Sequence, residues 1–425
     1  MNARILVLNC FVKGWNILKR LADDGFEVNG GHHTPDAPGL HSNRVGDKSK
    51  NLIYPDPKVD ENGFVDAVLD HLARVKFDIV LPVNAAEMMA LARRRDEVTR
   101  LTLFPFEDYF KLLLLHDKKY FFELVAENIH EQLLPASWSV ADQTPPIADI
   151  CARAGLDVLP HQPMENHATV NHFLNAHPGL LYPVIVKTRR ATSAVGVYRV
   201  NNENELRDAC RKLGETDIIV QENLDGRGVG ISSIRWPQPA LLCHFGHKRV
   251  REYPITGGAS TSREPWDCDD LPLTQMISKF LDKLDWHGVV MFELKELVSA
   301  ERQFTYRFIE ANPRFWGSVP LAMANGVNFP VLLCRAALGM DIPPVTNKKK
   351  IRARIFFSDA LSLTLNVVKR RNAWYHLRDF FNFKNLVLDD VDFKDIPGTR
   401  RIFRRMLAEF FARLFHKNQA PRLQP

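Results

Sequence analysis

Two strand-like segments, VVMFELKEL (289–297) and FTYRFIEANPRF (304–315), are separated only by the short polar connection VSAERQ. Such a pair predicts an antiparallel hairpin. With the turn centred between Glu301 and Arg302, Glu293 falls directly opposite Glu310, and both side chains project from one face. Asn312 shares that face because strand side chains alternate with period two. Like charges placed directly opposite are destabilising unless a cation compensates. Two carboxylates and an amide oxygen are hard donors of the kind Mg²⁺ prefers. The alternative is a pair of solvated glutamates answered by Lys295 or Arg307, and the hairpin by itself leaves both readings open.

The rest of the chain narrows the setting. At 425 residues it is too long for one compact core and implies two or three domains. Its 45% hydrophobic and 25% charged content is that of a folded globular protein, and a net charge of +6 spread along the chain does not signal nucleic-acid binding. No basic, aromatic-rich stripe appears either. Six scattered cysteines without a C-x-x-C pair read as reduced, mostly buried thiols. No run reaches the ~18 apolar residues of a membrane span, and ILVLNCFV lacks a small-residue cleavage site, so a cytoplasmic location is expected.

The first hundred or so residues alternate strand-like and helix-like segments, which predicts a Rossmann-like parallel-sheet domain over 1–110. The turn NCFVKG has no G-x-G-x-x-G, so no dinucleotide site is expected there. Residues 111–341 are expected to form an α+β domain, and residues 342–425 a basic helical region. In the latter, Phe403, Met406, Leu407 and Phe410 fall at helical spacing opposite Arg400, Arg401, Arg404 and Arg405. That helix either packs on its own protein or makes a peripheral membrane or protein contact. The irregular stretch before Tyr182 carries His161, His167, His172 and His177, whose spacing is not compact, and these read as loop histidines rather than a metal site.

Six segments occur in an order that resembles the ATP-grasp superfamily: DKKYFFELV, YPVIVKT, a small-residue turn leading to VGVYRV, IIVQENLDG, FELK and IEANPRFWGS. The similarity spans roughly residues 110 to 340, closest to carboxylate–amine ligases and the carbamoyl-phosphate-synthetase large chain. It implies a two-lobed ATP-grasp fold with a hinge near 221–224, ATP as ligand, and Mg²⁺ (or Mn²⁺) at Glu293, Glu310 and Asn312. It also implies that Lys187 and Lys118 hold phosphates, and that Gln221, Glu222 and Leu224 meet the adenine. The loop TRRATSAVGV has only Gly196 where the family is glycine-rich, although Ser193 and neighbouring amides, with Arg189 or Arg190, could still cradle phosphate.

HKRVREYPITGGAS sets His247, Arg249 and Arg251 at period two before a Gly-Gly turn. A row of cations repels unless an anion joins it, so these residues, with Gly258 and Ser260, are expected to receive a substrate carboxylate. The alternative is an exposed basic strand paired with acids elsewhere. GRGVG, lying between strands, reads as a hairpin turn. Arg314, after the metal-binding strand, is expected to act in catalysis beside Lys187 by stabilising an acyl phosphate or tetrahedral intermediate. The resulting expectation is a ligase that joins a small carboxylate to an amine, as a monomer or homo-oligomer. A thiol or bicarbonate could replace one substrate, and a nucleotide-binding scaffold recruited through the basic tail is the reading from another class.

Overall fold

The computed structural model describes residues 3–157, 159–190, 196–238, 240–253, 258–298, 303–345, 349–368 and 373–415. Four parallel strands, β1 (Arg4–Leu8), β2 (Glu27–His32), β3 (Leu52–Ile53) and β4 (Ile79–Pro82), lie in the order β3-β2-β1-β4. The apolar runs ILVL and IVLP are wholly buried, as parallel strands covered on both faces require. Strand order reverses at β1, so the loops after β1 and β4 flank a crevice at the carboxyl end of the sheet.

A second sheet comprises β5 (Ser137–Val140), β6 (Asn166–His167), β7 (Val184–Thr188), β8 (Val197–Val200) and β9 (Ile218–Glu222), ordered β6-β5-β9-β7-β8. Val184, Val186, Ile218 and Val220 alternate onto one face and pack with Phe173 and Leu206 into a core of their own. The third sheet is larger: β10 (Arg227–Trp236), β11 (Leu241–Tyr253), β12 (Ala259–Trp266), β13 (Gly288–Val298), β14 (Phe304–Asn312), β15 (Arg352–Arg354) and β16 (Leu386–Leu388), ordered β14-β13-β10-β11-β12-β15-β16. Its apolar face and the parallel layer share one continuous core that includes Phe121, Phe292, Phe308 and Phe315. This is the expected α/β and α+β architecture: a Rossmann-like layer followed by two lobes.

Among the described residues, the region from 342 onward is mixed rather than wholly helical. β15 and β16 extend the large sheet from the edge of β12, three residues each and too short to carry a strand period in the sequence. The basic helix Ile396–Phe415 packs back on the parallel layer. Asp395, just before it, accepts from the Trp15 indole at 2.7 Å and the Ser42 hydroxyl at 2.5 Å, and Gly398 lies against the Trp15 ring. No helix among the described residues is long and apolar enough to cross a membrane.

The row expected from HKRVREY is broken. A bulge between Arg249 and Arg251 shifts the register of β11 on β12. Arg251 is claimed by the C-terminal region: its fully buried guanidinium donates to Asp359 at 2.7 and 2.6 Å and to Asp379 at 2.7 Å. Arg354 joins Asp359 at 3.0 Å. Arg251 is therefore a structural cation here, in place of the expected substrate contact. Removing one partner of a buried pair leaves uncompensated charge behind, so Arg251→Ala should cost about 3–5 kcal/mol. Denaturant unfolding checks this, and an unchanged midpoint would return Arg251 to the candidate substrate contacts.

Candidate functional site

Glu293 and Glu310 are directly paired across β13 and β14, as the hairpin reading requires, and Asn312 is level with Met291. The ladder nearer the turn runs one residue out of that register, from Leu294↔Phe308 to Val298↔Phe304, because Ile309 bulges out of β14. The bulge presents the Ile309 carbonyl to Lys187 Nζ at 3.5 Å. Lys187 comes from β7 of the small sheet, where it also donates to Gln221 Oε1 on β9 at 2.9 Å. The two sheets thus meet at this point.

Each carboxylate is held by a cation. Lys118, at the start of the helix Lys118–Val125, lies 3.2 Å from Glu310, and Arg249 lies 2.5 Å from Glu293. The Asn312 amide donates to Glu310 at 2.9 Å, and its oxygen accepts from Arg314 at 2.8 Å. Burial alone would raise both carboxyls. For Glu310, Lys118, Asn312, Lys187 and Arg314 overcome it and hold the group well below the usual carboxylate range. For Glu293 burial prevails over Arg249, with Glu310 adding repulsion, and the carboxyl is raised. Burial, then Lys118, lowers Lys187 to about 7 against the pull of Glu310 and Glu293.

Cations crowd this face. Lys118, Lys187, Arg249 and Arg314 surround two carboxylates, and the Nε atoms of Arg249 and Arg314 are buried without a partner. Orphaned buried donors are costly, which is the condition an anionic ligand relieves. The acceptors Glu293, Glu310 and Asn312 are an all-oxygen set that fits a hard divalent cation bridging to phosphate oxygens. Polyphosphate and Mg²⁺ thus fit the two halves of the site.

Several features were not legible beforehand. GRGVG is no hairpin turn: Gly228 and Gly230 lie within β10, and a Cβ at these positions would sit 2.6 Å from Arg249 Cδ and 2.3 Å from His247 Cε1. The glycines make room for those two side chains, and the pairing across the sheet is what the sequence alone could not give. His247 is buried, with burial and then Arg249 lowering it to about 3, and Ser318 Oγ lies 3.4 Å from its ring nitrogens. Gly258 offers its carbonyl to Arg249 at 3.3 Å, whereas the Ser260 hydroxyl donates to the Ser262 carbonyl at 3.3 Å. From the parallel layer, Lys13 donates to the Phe315 carbonyl at 3.0 Å beside Arg314, a residue that no local motif marked.

Arg189 is committed elsewhere. It is fully buried between Asp117 at 2.8 Å and Asp142 at 2.5 Å, and so does not offer free charge to phosphate. Glu222 receives Ala136 N–H on its Oε2 at 3.3 Å, and its own N–H is used by the Ala136 carbonyl at 2.8 Å. Leu224 follows β9 in an irregular segment leading to β10. Ser193 and Gly257 lie outside the described residues.

The family model for the D-ala D-ala ligase C-terminus matches residues 150–241. Among solved structures, the fold is similar to a biotin carboxylase–ATP analogue complex from Campylobacter jejuni, with TM-score 0.60, 14% identity and coverage of 81% of this chain and 72% of that one. An ADP complex of N5-carboxyaminoimidazole ribonucleotide synthetase gives TM-score 0.61 at 13% identity, covering 87% and 86%. An L-amino acid ligase from Bacillus licheniformis gives 0.55 at 16%, covering 79% and 74%. No curated protein matches the sequence. The match over residues 150–241 and these structural likenesses show that the chain has the fold of the ATP-grasp ligases.

Proposed function

We propose that the chain is a cytoplasmic ATP-dependent carboxylate–amine ligase, acting on small molecules through an acyl-phosphate intermediate. The observation that carries the reading is the facing pair Glu293 and Glu310 inside a ring of buried cations contributed by both lobes. Mg²⁺, when bound, would neutralise phosphate charge and orient the transferred group, and Glu293, Glu310 and Asn312 are the residues to hold it. Lys187 and Lys118 would hold the phosphates of ATP, with Gln221 fixing the Lys187 ammonium. Backbone groups near Glu222 and Leu224 are the adenine contacts in this reading.

The γ-phosphoryl group passes to a substrate carboxylate, and an amine then displaces phosphate to leave an amide. Arg249 and His247, with Gly258 close by, form the carboxylate-facing wall. Arg314, tied to Asn312 at 2.8 Å, is placed to stabilise the charge that develops on the acyl phosphate and the tetrahedral intermediate. The chain supplies position and charge rather than a covalent nucleophile.

The test is ADP release with Mg-ATP against pooled amino acids, small carboxylic acids and amines, with bicarbonate tried separately. Release should require a carboxylate and an amine together, and should fall at least a hundredfold in Glu310→Ala, in line with removal of a charge-stabilising group. Release with bicarbonate alone, or equal release from the variant, would overturn the reading.

A second outcome follows from Lys187. In the free protein it titrates near 7, and anionic phosphates favour its charged form. Above that pH the free amine is largely neutral, so ATP binding should take up close to one proton at about pH 8 and weaken by up to tenfold per unit as pH rises. Calorimetry in buffers of different ionisation enthalpy measures the uptake, which Lys187→Met should abolish. Uptake that persists in that variant would assign the proton to another group.

A further inference from the structure

On the far edge of the small sheet, three side chains that the sequence leaves scattered come together. Glu165 and His167 flank Asn166 at the short edge strand β6, and His177 closes the helix Val170–Ala176 that follows. His167 Nε2 lies 3.2 Å from His177 Nε2 and 3.2 Å from Glu165 Oε1, and His177 Nε2 lies 3.7 Å from the same oxygen. Donor atoms on a tetrahedron around a metal with bonds of roughly 2.0–2.1 Å are about 3.3 Å apart. The three observed separations cluster around that edge length.

From this geometry we propose that Glu165, His167 and His177 form a binding site for a borderline transition-metal ion of the Zn²⁺ class. The atoms converge without rearrangement, one from each residue. His167 is 3% exposed, and its Nδ1 is buried without a partner, so the ring is engaged only through the Nε2 that faces the cluster. Phe173 packs against both rings, with centroids 5.3 and 4.8 Å away, and Trp138 covers His177 at 5.0 Å, so the imidazoles are fixed before any ion arrives. Glu165 is half exposed, which leaves a path for entry and an open fourth position for water. Two imidazoles and one carboxylate select Zn²⁺ and its late first-row neighbours over Mg²⁺, which prefers oxygen donors.

The placement gives the ion a structural task. β6 is held to the sheet by a two-residue parallel ladder on β5, with Ser139 N–H donating to the Glu165 carbonyl at 2.9 Å and Ala141 N–H to the His167 carbonyl at 2.8 Å. An ion joining β6 to the end of the following helix would clip this edge of the lobe whose β7 and β9 carry Lys187 and Gln221. The site is separate from the oxygen cluster of Glu293, Glu310 and Asn312, and its ligand chemistry is different.

The test uses the full chain stripped with a chelator and titrated with Zn²⁺ alone, and then with Co²⁺, whose visible absorption reports nitrogen-bearing tetrahedral coordination. One equivalent should bind to the native chain and to Glu310→Gln. His177→Gln should bind at least tenfold more weakly and lose the Co²⁺ bands. Because His177 is at the helix end and partly exposed, that variant is expected to keep its fold, which circular dichroism verifies; Glu165→Gln provides a second, more exposed substitution. Absence of stoichiometric binding in the native chain, or undiminished binding in both variants, would overturn the proposal.

Discussion

Two carboxylates face each other across one antiparallel hairpin, and the surrounding cations are what make that tolerable. Glu293 and Glu310 would repel at such a position in isolation. Here Arg249 reaches Glu293 from β11, and Lys118 reaches Glu310 from a helix outside the sheet. Lys187 approaches from the other lobe, and Lys13 from the parallel layer stands beside Arg314. Each of these groups is costly to bury alone. Together they fix how the layers meet, because moving any one of them strands a charge.

The same constraint explains the small residues and irregularities nearby. Gly228 and Gly230 open the sheet surface so that Arg249 and His247 can lie across it. The bulge at Ile309 turns a carbonyl toward Lys187, and it lets the hairpin end in a register different from the one at the glutamates. The bulge after Arg249 separates the cation that faces Glu293 from the cation that anchors the C-terminal strands. Sheet irregularity therefore divides neighbouring arginines between the facing glutamates and the C-terminal anchor.

Much of this was legible in the sequence where partners are close along the chain. The Glu293–Glu310 pairing followed from strand alternation and a short connection, even though alternation could not reveal the bulge between the pair and the turn. Parallel strands with continuous apolar runs were equally plain. Arg251 was misread because its partners Asp359 and Asp379 lie 108 and 128 residues further on, beyond the reach of any local pattern. GRGVG was misread because glycines that accommodate side chains from a neighbouring strand look the same, in one dimension, as glycines in a turn. His167 and His177 were dismissed on spacing, yet a helix between them returns the second ring to the first.

The central claim is that the facing carboxylates are the metal-binding half of a metal–nucleotide site and not a paired surface feature. Electron paramagnetic resonance of Mn²⁺, titrated into the full chain with and without a non-hydrolysable ATP analogue, tests it most directly. The account predicts weak Mn²⁺ binding alone, at least tenfold tighter binding with the analogue, and loss of that enhancement in Glu293→Gln. Mn²⁺ binding that is indifferent to nucleotide, or unchanged in the variant, would contradict it.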